Sequence, residues 1–165
     1  MKLRNGLLGV SLILPTAAFA WETRVDGPDV FGRTRVSALE VSGRAILIVQ
    51  CDSESQLQLA FVFPKKEFDT TAEAPSTLFV KSNDDSPVAL DAKLQDWNDN
   101  YAGVVASGRT DEMIKVIFGI GGAKKKIQVG TETLGDKKST DFGTSKSTSA
   151  ISVVFDKCKI SRPKK

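Results

Sequence analysis

The spacing of apolar residues predicts β-strands over much of the chain between residues 34 and 106. From Gln56 to Phe63, leucine and phenylalanine recur at every second position, which is typical of a half-buried strand. Ala45–Val49 is apolar throughout and indicates a central strand that is covered on both faces. Ser42-Gly43 makes a tight turn between this strand and one over Thr34–Val41, so the two are predicted to form a hairpin.

Shorter strands follow from the same criteria. They are predicted over Thr77–Lys81, Val88–Leu90, Tyr101–Ala106, Lys124–Val129 and Thr140–Phe142. The first two of these flank a cluster of turn-forming residues at positions 83–87.

Two later segments have helical spacing. Thr110 precedes two acidic residues and can act as a helix N-cap, and apolar residues then recur at three- and four-residue intervals from Met113 to Phe118. The glycines of Gly119–Gly122 are predicted to stop this helix. A second helix is predicted to begin at Ser145 or Ser147.

The second helix has a competing interpretation as a strand. A helix places Ala150, Ile151, Val154, Phe155 and Cys158 on one apolar stripe. A strand through the same segment is the alternative, because valine and isoleucine favour strands. The helix is the favoured interpretation, since its stripe includes the cysteine.

These elements predict an α+β fold with a mainly antiparallel sheet, curled or sandwich-like, and about two helices. The chain has 165 residues, of which 41% are hydrophobic, and no internal repeat, so we expect one monomeric globular domain over residues 21–160. Residues 161–165 are predicted to form a basic, disordered tail.

Residues 1–20 have the pattern of a signal peptide. Lys2 and Arg4 form a positive n-region, residues 6–14 an apolar h-region, and Ala18-Phe19-Ala20 a small-x-small cleavage pattern. A membrane anchor is the alternative, but the apolar stretch is shorter than the roughly 20 residues that span a bilayer. We therefore expect a periplasmic or secreted protein that begins at Trp21 and has no transmembrane segment after cleavage.

The charge balance gives little support for nucleic-acid binding. The chain has 23 Lys and Arg against 20 Asp and Glu, and loss of residues 1–20 lowers the basic count to 21. A nearly neutral protein lacks the basic face that phosphate recognition requires, and Lys124-Lys125-Lys126 is too short to supply one. No nucleic-acid partner is expected.

Cys51 and Cys158 are the two cysteines of the chain. An even count in an exported protein predicts a disulfide. A redox-active pair lacks the C-x-x-C arrangement, and a metal site made of two thiols without histidine would be incomplete. The bridge is therefore predicted to be structural.

Histidine is absent from the sequence, which removes the commonest general base and zinc ligand. Asp96–Asn100 begins like a calcium loop, but Tyr101 and Ser107 occupy the positions that need glycine and glutamate. Gly119–Lys124 lacks the ending of a phosphate loop. Ser161–Lys164 lies in the tail, where a nucleophile and a base cannot be held together. We expect no enzyme activity, no metal and no cofactor.

Trp97 and Tyr101 are the candidate contact residues. They flank a polar turn, where aromatic rings can anchor a partner protein or stack on a sugar. The alternative is that Trp97 packs over the end of the sheet, because small domains use their tryptophans in the core.

The order of several short motifs resembles a known family. The motifs are Trp21, Val36-Ser37-Ala38, Leu47–Cys51, Phe63, Trp97, Ser107-Gly108-Arg109, Ala123–Val129, Asp141-Phe142-Gly143, Ala150-Ile151 and Cys158. Over most of residues 21–160 the chain is similar to secreted VasI-type proteins, which accompany bacterial type VI secretion systems. The resemblance implies an accessory role beside a secretion apparatus.

Two functions are expected on these grounds. The first is a non-enzymatic, exported accessory or protein-binding domain whose partner is an envelope or secretion-apparatus protein. The alternative is an inhibitor or ligand-binding protein that acts on a cell-wall enzyme or glycan, with Trp97 and Tyr101 as anchors. A hydrolase that uses carboxylates alone has the least support.

Overall fold

Three stretches of the chain are described by the structure, a computed structural model: residues 20–52, 56–67 and 73–163. The predicted signal peptide lies outside these stretches apart from Ala20, as do Lys164 and Lys165 of the predicted tail. In the described stretches no helix is long and apolar enough to cross a membrane.

Within the described stretches, nine strands form one antiparallel sheet. They are β1 (Glu22–Asp26), β2 (Arg35–Ser42), β3 (Ala45–Asp52), β4 (Leu57–Pro64), β5 (Pro75–Ser82), β6 (Val88–Asp96), β7 (Tyr101–Ser107), β8 (Ile127–Thr133) and β9 (Asp136–Phe142). Their order in the sheet is β1-β2-β3-β4-β7-β6-β5-β8-β9, and β1 and β9 are the edge strands. A 3₁₀ turn at Lys65–Glu67 follows β4.

The sheet curls around an apolar concave face. Every second residue of β3 and β4 is buried on this face, including Leu47, Val49, Leu59 and Phe61. The ring of Phe61 meets that of Phe142 in β9 edge to face, with centroids 6.1 Å apart, although β4 and β9 are not neighbours in the sheet. The natural twist of a β-sheet therefore brings distant strands into one core.

Two helices cover the open side of the concave face, α1 (Asp111–Gly122) and α2 (Ser147–Lys157). Thr110 is the N-cap of α1, and its hydroxyl accepts the backbone N–H of Met113 at 3.2 Å. α2 packs against α1 and against β1, β2 and β3. Its residues Ile151, Val154 and Phe155 are buried in the core.

The predicted disulfide joins Cys51 in β3 to Cys158 at the end of α2. The two Cα atoms are 6.3 Å apart, and both residues are buried. Arg109 donates from Nη2 to the carbonyl oxygen of Cys158 at 2.9 Å, which places a positive charge at the C-terminal end of the helix. The end of α2 is thus held both by the sheet and by the segment before α1.

The predicted fold class is confirmed, with a mainly antiparallel, curled sheet, two helices and one disulfide in the described residues. The last segment is a helix, as favoured over a strand. The physical reason is that one helical stripe brings Ile151, Val154 and Phe155 together onto the concave face, whereas a strand would turn alternate side chains away from it.

α1 ends at Gly122, within the segment predicted to stop it, although Gly119–Gly122 themselves are helical and form its last turn. A Cβ on Gly121 would lie 3.0 Å from the Cβ of Ile151, so the missing side chain allows α1 and α2 to approach closely. Thr148 Oγ1 donates to the carbonyl oxygen of Gly121 at 2.6 Å. This bond satisfies one of the carbonyl groups in the last turn of α1, which have no partner within the helix.

Strand β1 was not predicted, and several strands are longer than predicted. β6 continues to Asp96 instead of ending at Leu90, and β9 begins at Asp136 instead of Thr140. The missed residues are mostly polar or exposed, and β1 and β9 are edge strands. Edge strands have few apolar positions, so their spacing carries no clear period of two.

Replacing Gly121 by alanine is expected to destabilise the protein by about 1–3 kcal/mol, because the added methyl group overlaps Ile151 at the contact between α1 and α2. Gly122→Ala is the matched control, since a Cβ at that position meets nothing within 4 Å. Urea unfolding of both variants checks this, and equal stability of G121A and wild type would contradict the close packing.

Removing the disulfide is expected to lower Tm by about 10 °C. The bridge spans 107 positions, and closing a loop of that length stabilises a protein by about 4–5 kcal/mol in the chain-entropy model. The test compares C51A/C158A with wild type by thermal unfolding under oxidising and reducing conditions. Reductant should lower Tm of the wild type and leave the variant unchanged.

Candidate functional site

The loop between β1 and β2 exposes two adjacent apolar side chains. Val30 is 92% exposed and Phe31 is 78% exposed, the highest values among the large apolar residues that the structure describes. Single exposed apolar side chains are common, but neighbouring large ones mark interaction sites. We call residues 27–34 the Phe31 loop.

Asp29 fixes the conformation of the Phe31 loop. Its Oδ1 accepts the backbone N–H groups of Phe31 at 2.8 Å and Arg33 at 2.9 Å, and its Oδ2 accepts Arg33 Nε at 3.0 Å. Gly27 allows the loop to close, because its φ is +113° and a Cβ there would lie 2.6 Å from the carbonyl oxygen of Arg33. Val30 and Phe31 are therefore presented on an ordered backbone.

The charges in the Phe31 loop are paired with each other. The guanidinium of Arg33 lies over the ring of Phe31, 5.2 Å from its centroid. The pKa of Asp29 lies below its ordinary value of 3.8. The main cause is the hydrogen bond from the backbone N–H of Arg33. Burial opposes this shift, and the hydrogen bond from the N–H of Phe31 lowers the pKa further. Asp29 is thus ionised at neutral pH, and the loop carries an apolar tip on an ion-paired base.

Trp97 and Tyr101 lie together on the convex face of the sheet. With six other residues they form an apolar cluster that we call the convex patch: Leu39, Ile46, Ile48, Ala60, Val62 and Val105. The backbone N–H of Trp97 donates to the carbonyl oxygen of Tyr101 at 2.9 Å across the turn between β6 and β7. The structure therefore brings the two predicted contact residues onto one surface.

Trp97 lies on the sheet instead of projecting from it. The residue is half-buried, and a Cβ on Gly103 would lie 3.1 Å from Trp97 Cε3. Ala60 and Val62, which belong to the same cluster, are fully buried. This geometry agrees with the alternative prediction that Trp97 packs against its own sheet. The ring lies on a face of the sheet and not over its end.

Polar side chains beside the convex patch pair with one another. Gln50 Nε2 donates to Gln58 Oε1 at 2.7 Å, and Lys65 Nζ lies 3.1 Å from Asp96 Oδ1. Sugar recognition needs polar groups that can reach the hydroxyls around a stacked ring. The polar groups nearest to the convex patch are therefore already bonded to each other.

The segments that resemble metal or phosphate loops have structural roles. Asn98 Oδ1 accepts the backbone N–H groups of Asn100 and Tyr101, both at 2.9 Å, so the calcium-like segment is a hydrogen-bonded turn. The glycines of the phosphate-like segment are the end of α1. In the part of the chain that the structure describes, no group of three or more Cys, Asp or Glu side chains could hold a metal ion.

A groove of about 480 Å³ lies between α1 and the hairpin of β5 and β6. Valine side chains of these three elements contribute to its lining, together with the acidic residues Asp85, Asp111 and Glu112. Neither Trp97 nor Tyr101 lines this groove. The predicted aromatic anchors and the groove are therefore separate surfaces.

Glu40 is a carboxylate in the core, with 2% of its surface exposed. The backbone N–H of Gly143 donates to its carboxyl group, and no group in the described part of the chain bonds to Oε2. Burial raises the pKa of Glu40, the charge of Glu22 raises it further, and the Gly143 N–H opposes both. Trp21 is buried at the same place, since its Nε1 donates to the carbonyl oxygen of Gly143 at 2.9 Å.

Neither the Phe31 loop nor Glu40 is predicted from the sequence as a functional feature. A signal for Glu40 exists, because Val36, Ala38 and Glu40 alternate along β2 and share its inward face. No comparable signal exists for Phe31, because spacing predicts which apolar residues share a face and not which of them stay exposed.

No protein-family model, curated protein or solved structure matches this chain. The resemblance to VasI-type secreted proteins stays a prediction that rests on the motifs in the sequence.

Replacing Asp29 by alanine is expected to loosen the Phe31 loop and to leave the core intact. The change removes the acceptor of two backbone N–H groups, so the amides of Phe31 and Arg33 should exchange hydrogen about tenfold faster. Hydrogen exchange read by mass spectrometry or NMR checks this. Asp26→Ala is the control, because Asp26 makes no hydrogen bond to this loop in the described residues.

The same loop should loosen in acid. The pKa of Asp29 is lower in the folded protein than in the unfolded chain. The contribution of Asp29 to the stability of the loop is therefore complete above pH 3.8 and is lost as the pH falls through the lowered pKa. Exchange rates, corrected for the intrinsic effect of pH, should rise over that range in the wild type and stay constant in D29A. A constant wild-type rate would contradict the role of Asp29.

Proposed function

We propose that this protein is an exported, non-enzymatic binding domain that docks onto another protein of the bacterial envelope through the Phe31 loop. The observation that carries the proposal is the pair Val30 and Phe31, which are 92% and 78% exposed on a loop held by Asp29. The signal-peptide pattern and the buried disulfide support an oxidising compartment. The VasI-type resemblance adds a secretion-apparatus component as the expected partner.

Order in the free loop favours tight binding. A flexible loop loses conformational entropy when it docks, whereas the backbone of this loop is already held by the hydrogen bonds of Asp29. Full burial of a valine or phenylalanine side chain contributes about 1.5–3 kcal/mol each. Two such side chains in a pocket of the partner would form the centre of an interface.

A protein pocket suits this loop better than a lipid surface. Asp29 and Arg33, the two charged residues of the loop, form an ion pair at 3.0 Å, so the loop offers no net positive charge to the anionic headgroups of a membrane. Two apolar side chains also bury too little surface for stable attachment to a bilayer. The partner is therefore a protein with an apolar pocket of the size of one aromatic ring.

Binding of a glycan or a cell-wall enzyme through Trp97 and Tyr101 is the competing proposal. The two rings share one surface, which favours it, but both are half-buried. Nearby polar side chains already pair with each other, as in Gln50 with Gln58. Protein docking through the Phe31 loop therefore has the better support.

The test is capture of the partner from the envelope of the host with the tagged mature protein, followed by measurement of the affinity for the purified partner. V30S/F31S should weaken binding at least about a hundredfold, because two central apolar contacts are lost. L134S is the matched control, since Leu134 is 72% exposed at a different hairpin turn. It should bind like the wild type.

Equal affinity of V30S/F31S and wild type would contradict docking through the Phe31 loop. Loss of binding in L134S would show that any exposed apolar residue matters, and it would equally contradict the proposal. If W97F alone releases the partner, or if peptidoglycan fragments shift the emission of Trp97, the competing function replaces it.

A further inference from the structure

The carboxyl group of Glu40 is a buried group whose hydrogen bonding is incomplete. Glu40 is 2% exposed, and among the described residues its Oε2 has no hydrogen-bond partner. A buried carboxylate without a partner is costly, so native proteins pair such groups with a donor or a positive charge. No Lys or Arg forms an ion pair with Glu40 among the described residues.

Trp21 and this carboxyl group both interact with Gly143. In the antiparallel register of β1 and β2, Glu22 is opposite Leu39, and continuing that register by one position sets Trp21 against Glu40. Both residues are buried, and both bond to Gly143: the indole of Trp21 donates to its carbonyl oxygen, and the Gly143 N–H donates to Glu40. The backbone nitrogen of Trp21 donates to the carbonyl oxygen of Ser145 at 3.0 Å.

The same nitrogen is the one that signal-peptide cleavage would free. The small-x-small pattern ends at Ala20, and hydrolysis of the Ala20–Trp21 bond consumes one water molecule. The products at neutral pH are a carboxylate on Ala20, which leaves with the signal peptide, and an ammonium group on Trp21. A signal peptidase is the class of enzyme required.

We propose that the Glu40 carboxylate is a binding site for the α-ammonium group of Trp21, formed when the signal peptide is removed. This inference rests on the export that the proposed function requires. One N–H of the ammonium keeps the bond to Ser145, and another reaches Glu40 Oε2, so the unpaired oxygen and the new positive charge satisfy each other. In the precursor, the Trp21 nitrogen is an amide with a single N–H and no charge.

The consequence is that processing fixes β1 onto the core. Trp21 precedes β1, whose own five residues are all exposed, so its attachment depends on backbone pairing with β2 and on the contacts of Trp21. The ion pair adds a third attachment, at the N-terminal end of β1. Because β1 leads into the Phe31 loop, the mature protein holds its docking loop more firmly than the precursor does.

The experiment is a double-mutant cycle with four proteins. The mature chain that begins at Trp21 and the chain that retains Ala20 are each prepared with Glu40 and with E40Q, an isosteric change that removes the charge. In the mature chain, E40Q should lower Tm by about 5 °C or more, because it leaves the ammonium group unpaired. In the chain that retains Ala20, E40Q should leave Tm unchanged or raise it, because it removes an unpaired carboxylate.

Labelling of the N-terminal amine gives a second measurement. A neighbouring carboxylate favours the protonated, unreactive form of the amine, so the Trp21 amine should react about tenfold slower in the mature chain than in mature E40Q. The Ala20 amine of the longer chain should react equally fast with and without E40Q. Lysine labelling in each sample serves as the internal reference.

Several outcomes would overturn the inference. An equal effect of E40Q on Tm in both chains means that Glu40 is a protonated core residue with no tie to the N-terminus. An envelope-extracted protein whose intact mass shows a start other than Trp21 also overturns it, while the docking proposal stands. Failure of V30S/F31S to weaken partner binding removes the docking proposal and leaves the cycle unaffected.

Discussion

Burial of the concave face of the sheet is the constraint on which the rest of the structure depends. Phe61 lies at its centre, fully buried, and contacts both Phe63 and Phe142 edge to face. A single curled sheet cannot shield this face alone, so α2 has to lie across it. The disulfide and the contact between Gly121 and Ile151 hold the helices there.

The functional candidates lie where this constraint is weakest. The Phe31 loop follows an edge strand and takes its order from Asp29, so its sequence can vary without changing the core. The convex patch differs, since Trp97 covers buried residues of central strands and contributes to stability. A side chain that already packs against its own sheet has less surface to offer a partner. This physical difference separates the Phe31 loop from the aromatic pair as a docking site.

Among the described residues, Glu40 is the one charged side chain that is buried in the core. A carboxylate at an inward position of β2 costs free energy unless a donor or cation meets it. Trp21, the first residue after the signal-peptide pattern, interacts with the same residue, Gly143, as Glu40 does. The unpaired carboxyl oxygen and the predicted cleavage site are therefore close together, and β1 connects both to the Phe31 loop.

The sequence alone determined the elements that have a strong apolar period: the hairpin of β2 and β3, strand β4, both helices and the pairing of the two cysteines. It failed at β1 and at the ends of β6 and β9, because β1 and β9 are edge strands without an apolar period and the missed residues of β6 are mostly polar or exposed. It also missed the packing role of Gly121, which depends on Ile151, 30 positions later. For the candidate site, the pattern found Trp97 and Tyr101 and left open whether Trp97 packs against the sheet; the structure places both, half-buried, in one cluster. The exposure of Val30 and Phe31 and the unpaired oxygen of Glu40 follow from tertiary contacts alone, because exposure and hydrogen bonding depend on which distant segments reach a residue.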